Sequence, residues 1–246
     1  MILGLIPSRL NSKRLNEKPL LEIDNLPIVV HAYKRALLSK KLDDVIVCTD
    51  HIKIKNVIED FGGKAILTSK KHKNGTERIY EVAKKFKKKL ELIIDIQGDQ
   101  PLIDPKAIDK TINFHKKNKK FDIVLPSMPI KFNQDNTSLV KTTFSKKGEI
   151  IYFSRAKTPF DYRRKKITYY KNLSIVSFKP SALKKFYYSK MGEIEKIENI
   201  ELMRALENNL RLGTFVIKGS DFAVDIQADF LRAVSVMRKD KTRKMY

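Results

Sequence analysis

The sequence predicts an α/β fold, a mostly parallel sheet with helices on both faces. Three observations lead there. Short apolar runs alternate with segments whose apolar residues recur at helical spacing, and this rhythm fills the first half of the 246-residue chain. The run in ELIIDIQGDQP is continuously apolar, as strands covered on both faces are. Helices between successive strands call for right-handed crossovers and therefore parallel pairing.

The elements follow in order. Residues 1–7 read as a strand that opens into PSRLNSKRLNEKPL. PIVVHAYKRALLSK (27–40) spaces its apolar residues as a helix does, and DVIVCTD is a strand ending at Asp50. HIKIKNVIEDFGG is a helix stopped by Gly62 and Gly63, which accept the left-handed backbone of a helix end. KAILTS is a short strand. GTERIYEVAKKFKKK is a helix starting at a glycine and a threonine cap. The strand ELIIDIQGDQP comes next, then the helix DPKAIDKTINFHKKN with Pro105 in its first turn, then the strand DIVLPSMPI. Beyond residue 137 the rhythm changes. SLVKTTFSKKGEIIYFSRAKTPF predicts a hairpin turning at Lys147-Gly148, and YKNLSIVSFK a further strand. EIEKIENIELMRALENN predicts one helix with Ile194, Ile197, Met203 and Leu206 available to one side. RLGTFVIKG reads as a strand and QADFLRAVSVMRKDKTRK as a closing helix. No repeat and no Pro/Gly/Ser-rich linker divides the chain. One domain over 1–246 is expected, with a β-rich excursion over about 137–190.

Composition narrows the class. At 42% hydrophobic the chain can bury a sizeable core. No stretch is apolar for about 18 residues, so no membrane span is expected. The first apolar run is too short for a signal peptide and has no basic segment ahead of it. Cys48 is the single cysteine, which excludes an internal disulfide and points to a reducing, cytoplasmic setting. His31, His51, His72 and His115 are scattered without ligand spacing, against a structural transition-metal site. The net charge of +23 raises nucleic-acid binding. However, KKFKKK (84–89), HKKNKK (115–120), YRRKK (162–166) and RKDKTRK (238–244) lie apart, with no recognition motif beside them. The charge reads as a solvated surface whose field favours anionic substrates, and nucleic acid is not expected as a partner.

In open α/β sheets ligands bind beyond the carboxyl ends of the strands, so the polar groups there are the ones to inspect. After the first strand come Arg9, Arg14 and Lys18. Guanidinium forks suit paired phosphate oxygens and an ammonium adds a point charge, although an exposed basic loop shows the same spacing. Asp50 ends the second strand. Gln97-Gly98-Asp99 ends the fourth. Gly98 permits close backbone approach, and Asp99 offers hard oxygen to Mg²⁺, though a turn-forming Asp would look the same. Asp225 in FAVDIQADF is a second carboxylate after an apolar run. Asp104 suits a helix start, and Asp95 is expected to point along its strand. Asn74 to Arg78 is a loop entering a helix, able to hold an anion or simply to cap it. Ser8, Ser154 and Cys48 have no histidine in a nucleophile pattern. A basic cradle with metal-binding carboxylates and no protein nucleophile suits direct phosphoryl or nucleotidyl transfer.

The ordered set IPSRLNSKRLNEKPL, VCTDH, NGTERI, DIQGDQPLI, YFSRAKTPF and AVDIQADF resembles the 3-deoxy-manno-octulosonate (Kdo) cytidylyltransferases over nearly the whole chain. The resemblance implies a Rossmann-like three-layer α/β/α nucleotidyltransferase fold and a homodimer paired through the β-rich segment. It implies CTP as donor, an acidic sugar as acceptor and Mg²⁺ as cofactor. Arg9, Arg14 and Lys18 would hold the triphosphate and, with Asp99, form the catalytic set. Leu5, Pro7, Ser8, Thr76, Arg78 and Gln97 would complete the CTP site. Asp99 and Asp225 would hold Mg²⁺. Arg78, Gln97, Arg155, Asn172 and Glu201 would face the sugar. The departures fall on that last side. The family's Tyr-Lys-His-(Ile/Leu)-Gly-(Ile/Leu)-Tyr is here Tyr170-Lys171-Asn172-Leu173-Ser174-Ile175-Val176, Glu201 is followed by Leu202 instead of Gln, and the Asp-Thr-Pro-Glu-Asp stretch is Asp225-Ile226-Gln227-Ala228-Asp229. Lost side-chain partners change which acceptor is taken. The expectation is cytidylyl transfer to an acid other than plain Kdo. Its rivals are the same fold with a sugar-phosphate acceptor, a basic nucleic-acid-binding protein, and a catalytically dead scaffold, against which the retained Asp99 and Asp225 argue.

Overall fold

In the computed structural model, residues 1–12, 14–130, 137–163, 167–218 and 222–246 are described. Residues 164–166 of the YRRKK run and Gly219, the end of the expected RLGTFVIKG strand, lie outside them.

Ile2–Ser8 sits well inside a sheet, hydrogen-bonded in parallel to Asp44–Thr49 on one side and Leu92–Ile96 on the other. The described sheet has seven strands, in the order Leu212–Gly213, Ile123–Val124, Ile175–Phe178, Leu92–Ile96, Ile2–Ser8, Asp44–Thr49, Ala65–Leu67. Only Ile175–Phe178 runs against its neighbours. Side chains of a strand alternate between faces, and the core divides accordingly. Leu3, Leu5, Ile46, Cys48 and Ile93 pack on one face against Ile79 and Val82 of the helix Gly75–Ala83 and Leu183 and Phe186 of the helix Pro180–Tyr188. Ile2, Ile6, Val45, Val47 and Ile94 pack on the other against the helices Ile28–Leu37, Ile52–Asp60 and Pro105–Lys117. The result is a three-layer α/β/α fold. Cys48 is fully buried within it, and burial pushes its thiol far above the ordinary cysteine range.

The β-rich excursion forms as expected in part. Lys141–Phe144 and Ile150–Ser154 pair antiparallel, with Gly148 at φ +73° in the turn. Several elements differ. DIVLPSMPI and YKNLSIVSFK each split, so that Ser127–Ile130 pairs with Tyr169–Asn172 away from the main sheet. The GTERIYEVAKKFKKK helix ends at Ala83, before a lysine run whose like charges repel along a helix face. The helix expected over EIEKIENIELMRALENN breaks into Glu193–Glu198 and Met203–Glu207. Asn199, at φ +52°, ends the first piece in the left-handed conformation that Asn tolerates, and leaves Ile197 80% exposed. Among the described residues of RLGTFVIKG, Leu212–Gly213 form the strand that joins the sheet. Pro180–Tyr188, not foreseen as a helix, carries Pro180 in its first turn.

The closing helix, Gln227–Met237, packs on Ile23, Ile28, Leu102 and Val224. Behind it the fully buried Arg35 pairs with Asp240, and the Tyr246 hydroxyl receives the Arg35 Nε proton at 3.0 Å.

Candidate active site

The carboxyl end of Ile2–Ser8 is the floor of the site. Two glycines let neighbouring segments close on it. A Cβ at Gly98 would lie 3.0 Å from the Pro7 carbonyl oxygen, and one at Gly75 would lie 3.1 Å from Pro7 Cγ. The strand end, the 97–98 turn and the start of the helix Gly75–Ala83 therefore meet at Pro7. That helix is capped by Asn74, whose side chain accepts from the Glu77 amide at 2.9 Å; Thr76, expected to share the cap, lies inside the first turn and is buried. The loop beyond Ser8 is pinned where the Leu10 amide donates to Asp50 Oδ1 at 3.2 Å. A short 3₁₀ turn, Lys18–Leu20 with Pro19 buried, then sends Lys18 back toward the sheet.

Asp225 reaches the same place from the far end of the chain. The Val224 amide donates to the Asp99 carbonyl at 3.0 Å, which docks the 222–226 segment beside the fourth strand's end. The Asp229 carboxylate accepts from the amides of Asp225 and Ile226 at 3.0 and 3.1 Å and fixes the turn. Lys18 Nζ then lies 2.8 Å from Asp99 Oδ2 and 3.2 Å from Asp225 Oδ1, and Arg14 lies 2.8 Å from that same Asp225 oxygen.

Two cavities open from this point. The larger, about 530 Å³, is lined by Pro7, Ser8, Arg9, Arg14, Lys18, Lys73, Asn74, Gly75 and Arg78. The smaller, about 340 Å³, is lined by Thr76, Asp95, Asn172, Ser174, Val176 and Glu201. Gln97, Asp99 and Asp225 line both and form the shared wall. Charge divides between them. Arg9, Arg14, Lys18, Lys73 and Arg78 face the larger cavity. Among the described residues no Lys or Arg lines the smaller one, where the acidic groups are Asp95, Asp99, Glu201 and Asp225.

Most residues singled out from the sequence are thus brought together. Leu5 offers the site its backbone and no side chain, since the side chain is buried in the core. Arg155 lines neither cavity. Its guanidinium donates to the carbonyls of Glu198, Asn199 and Thr137 at 2.8, 3.1 and 2.9 Å, which ties it to the turn ahead of Glu201. Arg78 is 3% exposed and already donates to Thr68 Oγ1 at 2.6 Å and Asp50 Oδ2 at 3.2 Å. Asp104 caps the helix Pro105–Lys117 through the Lys106 amide, as its position suggests.

Asp95 corrects the sequence reading. It does not lie along the strand; it is 3% exposed and faces the smaller cavity, on the same side of the strand as Ile93 and Gln97. Gln97 Nε2 donates to both of its oxygens, at 3.0 and 3.1 Å. Burial, reinforced by the charges of Glu201 and Asp99, holds the Asp95 carboxyl well above the usual range, against the Gln97 bond. Burial likewise pushes Glu201 up to about 7, although Thr76 and Arg204 oppose it. Glu201 Oε1 is closed off from solvent and has no hydrogen-bond partner among the described residues.

The site suits a polyanion in the basic cavity. One ammonium already touches both Asp99 and Asp225, so one cation can be shared by the two carboxylates. Two hard oxygens suit Mg²⁺, which draws its remaining ligands from water and phosphates. Among the described residues no group of three or more His, Cys, Asp or Glu side chains could hold an ion alone.

Fold and site define an α/β nucleotidyltransferase. The sequence profile described as Cytidylyltransferase matches residues 3–212, and the chain belongs to that family. The 3-deoxy-manno-octulosonate cytidylyltransferase of Thermodesulfovibrio yellowstonii is 37% identical over 239 residues, 92% of this chain and 93% of that one. The 8-amino-3,8-dideoxy-manno-octulosonate cytidylyltransferase of Shewanella sp. strain W3-18-1 is 35% identical over 232 residues, 93% and 95% of the two chains. The structure of CMP:2-keto-3-deoxy-manno-octonic acid synthetase complexed with CTP superposes with a TM-score of 0.92 at 28% identity, covering 97% of this chain and 98% of that one. No helix among the described residues is long and apolar enough to cross a membrane.

Proposed function

We propose that this protein is a Mg²⁺-dependent cytidylyltransferase that transfers CMP from CTP to the anomeric hydroxyl of a ulosonic acid. The observation that carries this reading is the shared wall. A basic cavity of nucleotide size and a second, smaller cavity meet at Asp99 and Asp225. The similarity to the CTP-complexed synthetase and to relatives named for octulosonate acceptors supports it.

The chain's residues divide the work. Arg9, Arg14 and Lys18 grip the triphosphate, with Arg and Lys serving as fork and point charge. The Pro7–Ser8 backbone, Arg78 and Gln97 border the nucleoside, and Thr76 lies behind them on the acceptor side. Asp99 and Asp225 would hold Mg²⁺, with Lys18 moving from the carboxylates to phosphate as nucleotide arrives. The chemistry the ion supplies when bound is charge neutralisation and alignment of the phosphates. The acceptor hydroxyl oxygen then bonds to the α-phosphorus as its proton passes to water, the bond from that phosphorus to the oxygen bridging it to the β-phosphorus breaks, and pyrophosphate leaves into the field of Arg9, Arg14 and Lys18. Catalysis is positioning plus charge stabilisation, without a protein nucleophile.

Asn172 and Val176 face the smaller cavity, where the family pattern has His and Tyr, and this supports an acceptor other than plain Kdo. Arg155 acts at a distance there, through the turn ahead of Glu201. We read residues 1–246 as one domain, since its sheet draws strands from residue 2 to residue 213. Exposed Ile151, Phe160, Tyr162 and Tyr188 on or near the β-rich excursion fit a homodimer contact. The lone, buried thiol fits a reducing cytoplasm. Pyrophosphate release with CTP and Mg²⁺, measured across a panel of ulosonic acids and sugar phosphates, tests the assignment. Release with none of the acids, or with CTP unbound by calorimetry, refutes it.

A further inference from the structure

The parallel strands share a second end, the amino one, opposite the cleft. LSKKLD (38–43), KKFKKKLE (84–91) and HKKNKKFD (115–122) lead into Asp44–Thr49, Leu92–Ile96 and Ile123–Val124 there. All three strands point the same way, the last because it opposes Ile175–Phe178, which opposes Leu92–Ile96. Lysine blocks that lie apart in the sequence therefore come to one face. Short bonds join its parts. The Ile2 amide donates to Asp43 Oδ2 at 2.6 Å and the Glu91 amide to the Met1 carbonyl at 2.8 Å. Lys116 Nζ lies 3.2 Å from Glu91 Oε1. Lys179 Nζ donates to the Lys119 carbonyl at 2.8 Å and lies 3.4 Å from Asp122 Oδ1. The three segments hold eleven lysines and three acids, and each of those lysines is exposed. Among the described residues, Lys85 and Lys116 are the two of them paired to a carboxylate. Helix dipoles do not account for the excess: the three helices that end here each supply about half a negative charge. Like charges gathered this way repel one another and cost stability, and an anionic surface laid against them relieves it.

We infer that this face docks on an anionic lipid surface. Clusters of about four to eight basic side chains are enough to hold a protein to such a layer. Lysines present separate point charges on flexible stems, which suit a fluid layer of headgroups, whereas fixed phosphates favour the Arg fork. The three segments offer no exposed ring for a nucleic-acid base to stack on: His115 and Phe121 are buried and Phe86 is half-buried. Leu37, 51% exposed just ahead of Lys40, adds an apolar tip that a headgroup layer accepts. Docked in this orientation, the protein keeps the cleft at the other end of the sheet open to water.

Vesicle sedimentation with the full chain tests this at about 0.1 M salt, where charges within about 10 Å still act on one another. The vesicles are phosphatidylglycerol and phosphatidylcholine in equal parts, or phosphatidylcholine alone, and binding to RNA and DNA oligonucleotides is measured beside them. The protein should bind the anionic vesicles about tenfold or more tightly than the neutral ones. Lys87→Glu, Lys88→Glu and Lys119→Glu combined should weaken that binding about 100-fold or more, from what each lysine contributes beside an anionic leaflet. Circular dichroism and CTP calorimetry of this variant should match the wild-type protein. Lys70→Glu, Lys71→Glu and Lys106→Glu combined make the same change of charge on exposed residues at the other end of the sheet, and should cost less than about tenfold. Absence of vesicle binding, equal binding to neutral vesicles, equal loss in the two triple variants, or tighter binding to the oligonucleotides than to the vesicles overturns the inference.

Discussion

Lys18 Nζ and Asp99 Oδ2 lie 2.8 Å apart, and the same ammonium reaches Asp225 Oδ1 at 3.2 Å. A residue from the first loop therefore bridges two carboxylates from the middle and the end of the chain. Before nucleotide arrives it offsets charge that would otherwise be repulsive. On the proposed mechanism the same contact breaks as Lys18 turns to phosphate.

Substituting this trio separates binding from chemistry. Asp99→Asn and Asp225→Asn should each lower kcat by about 100-fold or more, the scale of losing one preorganised charge in a transition state. Lys18→Met should weaken CTP binding as well, and calorimetry alongside single-turnover rates distinguishes the two. Full activity in Asp225→Asn would remove that residue from the mechanism.

Arg78 depends on Asp50. The guanidinium is 3% exposed and its carboxylate partner is 3.2 Å away. Asp50→Ala strands that charge and also frees the Leu10 amide. The expected loss is about 2–3 kcal/mol, less than for a fully buried pair because Asp50 keeps some solvent. Urea unfolding reads it directly, and Asp50→Asn should cost less because one acceptor oxygen survives.

Gly98 is a packing requirement. A side chain there meets the Pro7 carbonyl at 3.0 Å and Ile6 Cγ2 at 3.2 Å, both parts of a central strand with little room to give. Gly98→Val should displace the strand end and weaken CTP binding about tenfold or more, the equivalent of 1–2 kcal/mol of overpacking. Gly98→Ala should give a smaller loss, and calorimetry ranks the three proteins.

Acid acts in opposite directions on two sets of buried groups. Burial holds His31 and His115 down at about 4, aided by Arg243 and Arg35 for the first and Lys179 for the second, against bonds to the Ile23 and Phe121 carbonyls. The unfolded chain takes up these protons first, so their stabilisation is complete above pH about 6.5 and is lost as pH falls toward 4. Glu201, raised to about 7, does the reverse, binding its proton first in the folded state and adding stability as pH falls from 7 toward 4.5. Each effect is about 3 kcal/mol at most. Glu201→Gln should therefore steepen the loss of thermal stability between pH 7 and 4.5. An unchanged slope would show that Glu201 is not held protonated.

The fold was legible because burial on both faces writes itself into apolar runs. The strands Ile2–Ser8, Asp44–Thr49 and Leu92–Ile96 fall where that signal is strongest. The break at Asn199 was not legible: apolar spacing carries on through it, and one residue's left-handed backbone leaves no periodic trace. Asp95 had a readable signal that was missed. A charge inside an apolar strand must take one face or the other, and Ile93 and Gln97 define which. Spacing along the chain gave Arg9, Arg14 and Lys18, whereas nothing local pairs Asp99 with Asp225. That meeting rests on the backbone bond from Val224 to Asp99, which joins segments far apart in the chain.

The sequestered Cys48 gives the enzyme an internal clock for its own opening. A thiol with no access to water, in a strand beside the centre of the sheet, reacts with a disulfide reagent only when the surrounding layers part. Labelling rates, followed by mass, would then report how often that happens, and slowing on addition of CTP would measure the nucleotide's grip on the whole scaffold without any assay of turnover.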